Sequence, residues 1–188
     1  MKYLIAFLCF TAHLIGAQII LPIDSSTGKV TYYEVVKTDT SLSKAILLIN
    51  AEKWAEKNLK VEEIKADSHK IVCVGLLGMS ESKGILEKNS GRFTYDFILE
   101  VKDAKYRYMF TNFVYNKYTV DKNGKRQYEH KKHIEEPKAP GWNKLWNKHK
   151  ATLDQQIRAL IVDLKEQMNV NPSIAPIELK IKQKSNDW

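Results

Sequence analysis

One short segment of the sequence gathers side chains that are able to bind a metal ion. His130 and His133 are three residues apart, and Glu136 follows at the same spacing. On a helix this spacing brings the side chains toward one face, whereas on a strand the two imidazoles point to opposite faces. Lys131 and Lys132 lie between the histidines and repel a cation. We expect no metal and no cofactor here, and a hydrolase whose site uses these three residues is the alternative function.

The sequence contains none of three common nucleotide-binding and catalytic motifs. The chain has no Gly-x-Gly-x-x-Gly or Gly-x-x-x-x-Gly-Lys-Ser/Thr phosphate loop, and no Gly-x-Ser-x-Gly nucleophile motif. Cys73 lies in the apolar run Ile71–Val74, where a buried small hydrophobe is expected rather than a nucleophile. Enzymatic activity is therefore uncertain, and a non-catalytic role is favoured.

The most pronounced feature of the sequence is an uneven distribution of charge. Residues 117–150 contain ten Lys and Arg against four Asp and Glu, a local net charge of +6, whereas the whole chain carries +8. Aromatic residues are interleaved with these charges: Tyr118, Tyr128, Trp142 and Trp146. The candidate partner-binding residues in this segment are Lys117, Lys125, Arg126, Tyr128, Lys131 and Lys132.

Three interpretations of this basic segment compete. In the first, the lysines keep an exposed hairpin solvated and prevent edge-to-edge pairing. In the second, the segment binds an anionic envelope partner, such as lipid phosphates, an acidic glycan or an acidic envelope protein. In the third, it binds nucleic acid through phosphates and stacked bases.

The first seventeen residues are typical of a secretory signal peptide. Lys2 provides the positive charge, an apolar run extends to Ile15, and Gly16-Ala17 offers a cleavage site. Cys9 lacks the surrounding residues of a lipid-attachment site, and the apolar run is too short to span a membrane. We therefore expect an exported protein of the periplasm or the extracellular space, not lipid-anchored and without a membrane span. Export makes nucleic acid the least favoured partner, and the sequence leaves the oligomeric state open.

Hydrophobic periodicity predicts an α+β protein. Phe93, Tyr95, Phe97, Leu99 and Val101 occupy alternate positions and so share one face of a strand. By the same rule Tyr106, Tyr108 and Phe110 share a face, and the opposite face is predicted to hold Arg107, Met109, Thr111, Phe113 and Tyr115. The predicted elements are strand 29–37, helix 42–59, strands 61–66, 69–77, 93–101 and 106–115, helix 143–168 and a short edge strand 177–181. The segment from Gly78 to Gly91 is predicted as a loop, and Asn123-Gly124 as a type I′ hairpin turn.

Short turns join most of these strands, so consecutive strands should pair antiparallel. The order β-α-β-β-β-β-α then predicts an antiparallel sheet with helices packed on one face. A chain of 188 residues with 44% apolar residues suits one domain with appendages. The predicted segments are a signal peptide (1–17), an α+β domain (18–120), a basic hairpin or linker (121–141), an amphipathic helix (142–170) and a tail (171–188).

The sequence also resembles a known family. The opening Leu21-Pro22-Ile23-Asp24, the run from Thr27 to Tyr32, Ala51-x-x-Trp54, and Tyr106-Arg107-Tyr108 before Thr111-Asn112-Phe113-Val114 are similar to an exported family of Bacteroidota, domain of unknown function 4468. This resemblance implies a curved, TBP-like sheet. It implies no catalytic residues and no DNA binding. We therefore expect an exported, non-catalytic binding or scaffolding module of the bacterial envelope, with the hydrolase acting on envelope material as the alternative.

Overall fold

The structure is a computed structural model that describes residues 20–59, 64–83, 86–136 and 143–171. Within these residues the order of elements is β-α-β-β-β-β-β-α. The elements are β1 (Tyr32–Lys37), α1 (Lys44–Asn58), β2 (Ile64–Ala66), β3 (Lys70–Lys83), β4 (Leu86–Lys102), β5 (Lys105–Val120), β6 (Arg126–His133) and α2 (Asn143–Met168). The predicted α+β class is confirmed, and β6 adds one strand to the predicted order.

All the strands belong to one antiparallel sheet. Its strand order is β1-β5-β4-β3-β2, and β6 also pairs with β5. The first half of β5 pairs with β1, and its second half, from Val114 to Val120, pairs with β6. Since β4 occupies the other side of β5, β1 and β6 lie end to end along one edge of that strand. Their junction is closed by hydrogen bonds from Val30 N–H to Glu135 Oε1 (2.7 Å) and from Ile134 N–H to the Phe113 carbonyl (3.1 Å).

Both helices cover the same face of the sheet, as predicted. α1 begins after Ser43, whose hydroxyl accepts a hydrogen bond from the Ile46 N–H, and it buries Trp54 against the rings of Phe97 and Phe110. Trp146 of α2 packs against Phe93 and Tyr115. The opposite face of the sheet, called here the uncovered face, has neither of these helices on it.

A bulge in β5 changes which of its residues enter the core. Asn112 has a positive φ of 56°, and the register between β4 and β5 shifts between Thr94 and Asp96. The extra residue reverses the alternation, so that Phe113 and Tyr115 are fully buried on the helix side. The prediction that they lie on the opposite face with Arg107 and Met109 was therefore wrong.

Two further local predictions were wrong. The segment predicted as a loop from Gly78 to Gly91 is mostly strand, because β3 continues to Lys83 and β4 starts at Leu86. The turn at Asn123-Gly124 is not of type I′, which needs a positive φ at both residues, because only Gly124 has one (78°). Instead, Asp121 Oδ1 accepts hydrogen bonds from the N–H groups of Asn123 and Lys125, both at 2.9 Å, within a longer loop.

Polar contacts position α2 on the sheet. The Tyr32 hydroxyl donates a hydrogen bond to Asp154 (2.7 Å), and the Tyr108 hydroxyl donates one to Glu34 (2.7 Å). Lys165 of α2 also contacts Glu34, at 2.7 Å. The hydrogen bonds from Lys165 and Tyr108 lower the pKa of Glu34, so that this carboxylate stays ionised between the helix and the sheet.

Some predicted features fall on other residues. The signal peptide (1–17) and the edge strand (177–181) lie outside the described residues. Within the described part of the chain, neither helix combines the length and the apolar character that crossing a membrane requires.

Burial of Cys73 leads to a testable prediction. The side chain is 4% exposed, and burial raises the pKa of its thiol to about 11. We expect a thiol reagent such as dithionitrobenzoate to leave Cys73 unmodified in the native protein at pH 8 and to modify it fully after denaturation. The raised pKa also implies that the free energy of unfolding falls as the pH rises from the ordinary thiol pKa toward 11. The reason is that the thiol ionises at a lower pH in the unfolded chain than in the folded protein. Rapid modification of the native protein would contradict this placement.

Candidate functional site

The basic segment forms a ribbon made of the end of β5 and all of β6. The described strands of this ribbon are joined through residues 121–125, where Asp121 holds the turn. Val114, Tyr115, Asn116 and Lys117 pair in unbroken register with residues 133 to 130 of β6. Beyond them, Tyr118 faces Tyr128, and Glu129 is the extra residue of a second bulge. The predicted hairpin is thus part of the sheet and continues its two faces.

The two faces of the ribbon carry different contacts. On the helix side, Lys132 lies next to Tyr115 in the register, with its Nζ 5.1 Å from the centre of the Trp146 ring. On the uncovered side, Tyr118 and Tyr128 meet edge to face, with ring centres 5.7 Å apart. The candidate residues predicted from the sequence therefore do not form one site.

Four side chains on the uncovered side make what we call the Arg–Tyr cluster: Arg92, Tyr118, Arg126 and Tyr128. The guanidinium of Arg92 lies 5.2 Å from the Tyr128 ring centre, and that of Arg126 lies 5.3 Å from the Tyr118 ring centre. Tyr118 is 5% exposed, whereas Tyr128 is 51% exposed. The cluster is therefore anchored by one buried ring and presents the other to solvent.

The remaining candidate lysines have different surroundings. Lys117 forms an ion pair with Glu129, the bulged residue of β6. Lys125 and Lys131 are exposed, as is Lys122 beside the turn. Positive charge is thus distributed along the ribbon in addition to the two arginines of the cluster.

The four arginines of the chain fall into two pairs. Arg107 is ion-paired with Glu100, and Arg158 contacts Asp154 at 2.9 Å. Arg92 and Arg126 instead stack on tyrosine rings, and no carboxylate of the described residues pairs with either of them. A guanidinium stacked in this way keeps its N–H edges for an oxygen ligand.

Arg92, Tyr118 and Arg126 also line a cleft of about 410 Å³. Leu76 and Gly78 of β3 line it on the uncovered face. At Leu77, where no described strand pairs with the outer edge of β3, the cleft continues to the helix side and reaches Asn58 of α1 and Gln156 of α2. Two polar atoms of lining residues, Arg92 Nε and Gln156 Oε1, are shielded from solvent and have no hydrogen-bond partner among the described residues. The cleft thus combines two cations, an aromatic ring, apolar walls and unused hydrogen-bonding capacity.

The two histidines considered above as possible metal ligands lie on opposite faces of the strand that carries them. His130 is opposite Lys117 and His133 opposite Val114 in an unbroken register, so their side chains point to opposite faces of β6. Glu136 Oε1 accepts a hydrogen bond from the His133 backbone N–H at 3.0 Å. In the described part of the chain, no three His, Cys, Asp or Glu side chains come together as a metal-binding group.

Sequence reasoning missed the part of the site that comes from other strands. Gly78 lies in the segment predicted as a loop, and its register partner Arg92 falls between that loop and the predicted strand 93–101. Gln156 is on α2, more than sixty residues away in sequence from Arg92. The only available signal was the position of Arg92 beside Phe93, which places the two side chains on opposite faces of a strand.

The uncovered face also has exposed apolar residues away from the ribbon. Tyr33 and Val35 of β1 and Val74 of β3 each expose about half of their side chain. Near them Arg107 and Glu100 neutralise one another. Lys37, Lys102 and Lys105 lie beside them, so this region is also basic, but among the described residues it has no pair of arginines stacked on tyrosine rings.

Comparisons with known proteins bear on the fold. Residues 32–116 match the family described as a domain of unknown function (DUF4468) with TBP-like fold. A crystal structure of a DUF4468 family protein from Bacteroides ovatus ATCC 8483 is 15% identical, with a TM-score of 0.56, over 86% of this chain and 98% of that one. A TBP-like protein from Parabacteroides distasonis ATCC 8503 is also 15% identical, with a TM-score of 0.54, over 76% of this chain and 94% of that one. Among curated proteins, none matches the sequence.

Proposed function

We propose, on the premise that this chain carries a DUF4468 domain with a TBP-like fold, that it is an exported, non-catalytic binding or scaffolding module of the bacterial envelope. The contact surface is the ribbon, and its partner is an anionic component of the envelope. The observation that supports this proposal is the ribbon itself, in which basic side chains project from two paired strands.

The distribution of charge supports the ribbon as the contact surface. Lys122, Lys125 and Lys131 are exposed, and among the described residues no carboxylate pairs with them. Basic residues near an anionic surface contribute about 1 kcal/mol each at low ionic strength. Three acting together would change affinity by about a hundredfold, enough to hold a partner that one lysine could not.

The aromatic residues of the ribbon support a role beyond solvation. A hairpin that only needs to stay solvated has no use for a half-exposed tyrosine at its centre, whereas binding surfaces are enriched in tyrosine and arginine. Tyr128 is such a residue, held in place by Tyr118 and Arg92. The ribbon therefore offers both charge and a flat contact area.

The alternative hydrolase gains no support from the described residues. Of its three candidate side chains, His130 and His133 point to opposite faces of β6. The third, Glu136, accepts a hydrogen bond from the His133 backbone N–H. A binding surface explains the ribbon with the contacts that are observed.

Charge reversal on the ribbon tests this function. We expect the combined change Lys122→Glu, Lys125→Glu and Lys131→Glu to reduce partner capture at least tenfold in intact cells, because it replaces the attraction of three cations by repulsion. Capture is measured by cross-linking a tagged full-length chain in its producing cells and identifying the attached component by mass spectrometry. Arg126 and Lys132 are left unchanged because they pack on Tyr118 and Trp146.

A second charge reversal serves as the matched control. Lys37, Lys53 and Lys105 are exposed and lie away from the ribbon, so Lys37→Glu, Lys53→Glu and Lys105→Glu changes the net charge by the same amount. This control should capture the partner like the unmodified protein. Equal loss in both variants would show a net-charge effect, and equal capture by both would remove the ribbon from the proposed function.

A further inference from the structure

We propose that the cleft beside the Arg–Tyr cluster is a binding site for a small organic anion, with a carboxylate or phosphate group held by Arg92 and Arg126. This inference goes beyond the envelope contact and does not depend on it. It concerns a small-molecule site at the base of the ribbon rather than the exposed lysines along it.

The four arginines differ in whether a carboxylate of the described residues pairs with them. Arg107 and Arg158 have carboxylate partners on the protein, so their charges are already satisfied. Arg92 and Arg126 have rings beneath them and line the same cleft. Two guanidinium groups on one cleft are suited to the oxygen atoms of a carboxylate or a phosphate, since each can bind two oxygens with its planar edge.

The size of the cleft and the residues that line it indicate what the ligand carries besides its anionic group. About 410 Å³ lies within the range of small-molecule sites, roughly 300 to 1,000 Å³. Leu76 and Leu77 supply apolar contact, and the Tyr118 ring supplies a flat surface. The ligand therefore needs an apolar or ring-shaped body attached to its anionic group.

The orphaned polar atoms point to direct recognition within the cleft. Buried donors and acceptors in proteins are almost always hydrogen-bonded, because an unmade bond costs about 1 to 3 kcal/mol. Arg92 Nε is such a donor on the uncovered face, and an anionic oxygen of a sugar acid or a sugar phosphate satisfies it. Gln156 Oε1 is such an acceptor, but α2 places it on the helix side of the sheet, so it is not part of the contact with the anionic group.

Gly78 keeps the cleft open next to Arg92. It is the register partner of Arg92, and a Cβ built on it meets no atom within 4 Å. A side chain introduced there extends into free space beside the guanidinium, since cross-strand partners have Cβ atoms about 5 Å apart. Gly78 therefore allows the site to be filled or charged without disturbing the core.

Variants at Gly78 test whether the cleft attracts negative charge. We expect Gly78→Glu to have a higher melting temperature than Gly78→Gln at pH 7 and low salt, by about 2 °C or more, because its carboxylate pairs with Arg92 and Arg126. The difference should disappear at pH 3, where the introduced carboxyl is protonated. Equal melting temperatures at pH 7 would overturn the inference that the cleft is an anion site.

Titration with small probes tests ligand binding itself. Glucuronate and glucose 1-phosphate represent the carboxylate and the phosphate, and glucose is the neutral control. In nuclear magnetic resonance spectra we expect at least one anion to shift the Gly78 amide and Arg92 Nε signals saturably, and glucose to leave them in place. The stronger anion shows which group the site prefers. Binding should be at least tenfold weaker in Gly78→Glu than in Gly78→Gln.

Two results of the titration would overturn the proposal. One is that neither anion shifts these signals more than glucose does, and the other is that Gly78→Glu binds as tightly as Gly78→Gln. The ribbon variant with Lys122, Lys125 and Lys131 reversed keeps every lining residue of the cleft, so it should still bind the anion. Loss of partner capture and loss of anion binding are thus measured with separate variants, and each proposal can fail alone.

Discussion

Replacing Gly75 or Gly91 by alanine should strongly destabilise the protein, because each glycine lies beneath a tyrosine ring. The Tyr95 ring lies directly over Gly75, and the Tyr115 ring lies over Gly91, so a Cβ at either glycine overlaps the ring. Both rings are buried in the core, with 1% of Tyr95 and 0% of Tyr115 exposed. Overpacking of this kind costs about 1 to 3 kcal/mol and more where nothing can shift, so we expect about 3 kcal/mol for each variant. Urea denaturation followed by tryptophan fluorescence measures the loss.

The same strand contains a matched control. Gly78 of β3 has open space at its Cβ position, so Gly78→Ala should be neutral or stabilising by up to about 1 kcal/mol, as expected for removing a glycine from a strand. A double variant supplies the rescue. Gly75→Ala combined with Tyr95→Leu should cost less than the sum of the two single changes, because the clash is removed with the ring. Equal stability of Gly75→Ala and Gly78→Ala would contradict the close approach of Tyr95.

Deletion of Asn112 should prevent stable folding. The bulge at this residue lets both halves of β5 direct their large apolar side chains into the core. Without it, strict alternation of side chains along the strand would place Phe113 and Tyr115 on the uncovered face. Two large buried rings would be lost from the core, each worth about 3 kcal/mol or more. We expect a protein without a cooperative thermal transition and with collapsed dispersion of its amide resonances.

A substitution at the same position separates the backbone effect from the side-chain effect. Asn112→Gly keeps the bulge, since glycine adopts a positive φ readily. It loses two side-chain hydrogen bonds, the one that Asn112 donates to Asp96 (3.1 Å) and the one that it accepts from Lys29 Nζ (3.4 Å). This variant should fold and should lose no more than about 1 kcal/mol. A deletion variant as stable as Asn112→Gly would show that β5 can form without the bulge.

Regular periodicity made the central part of the fold predictable. Phe93 to Val101 and Tyr106 to Phe110 alternate without interruption, and helix α2 was predicted with the bounds that it has. Each of these segments is buried on one side only, so its apolar residues recur with the period of the strand or helix that it forms. Prediction failed where a single residue changed the phase, as at Asn112.

The extension of β3 and β4 was missed for a related reason. Gly78, Ser80 and Gly91 look like loop residues, yet Gly91 is required because the Tyr115 ring crosses it. That constraint comes from a strand more than twenty residues later. The cleft was missed in the same way, because Gly78, Arg92, Arg126 and Gln156 meet only after the sheet has formed.

The end-to-end placement of β1 and β6 on one edge of β5 has a consequence for the divergence of such proteins. The family match ends at Asn116, within β5 and before its second bulge. From Tyr118 to Tyr128 the ribbon consists of its own two paired strands, and the rings of Tyr118 and Tyr128 pack against one another there. Its tip can therefore be lengthened, shortened or exchanged in steps of two residues while the shared scaffold stays intact. Insertions and deletions at this tip should therefore cost less stability than the same changes in the part of the sheet that the helices cover.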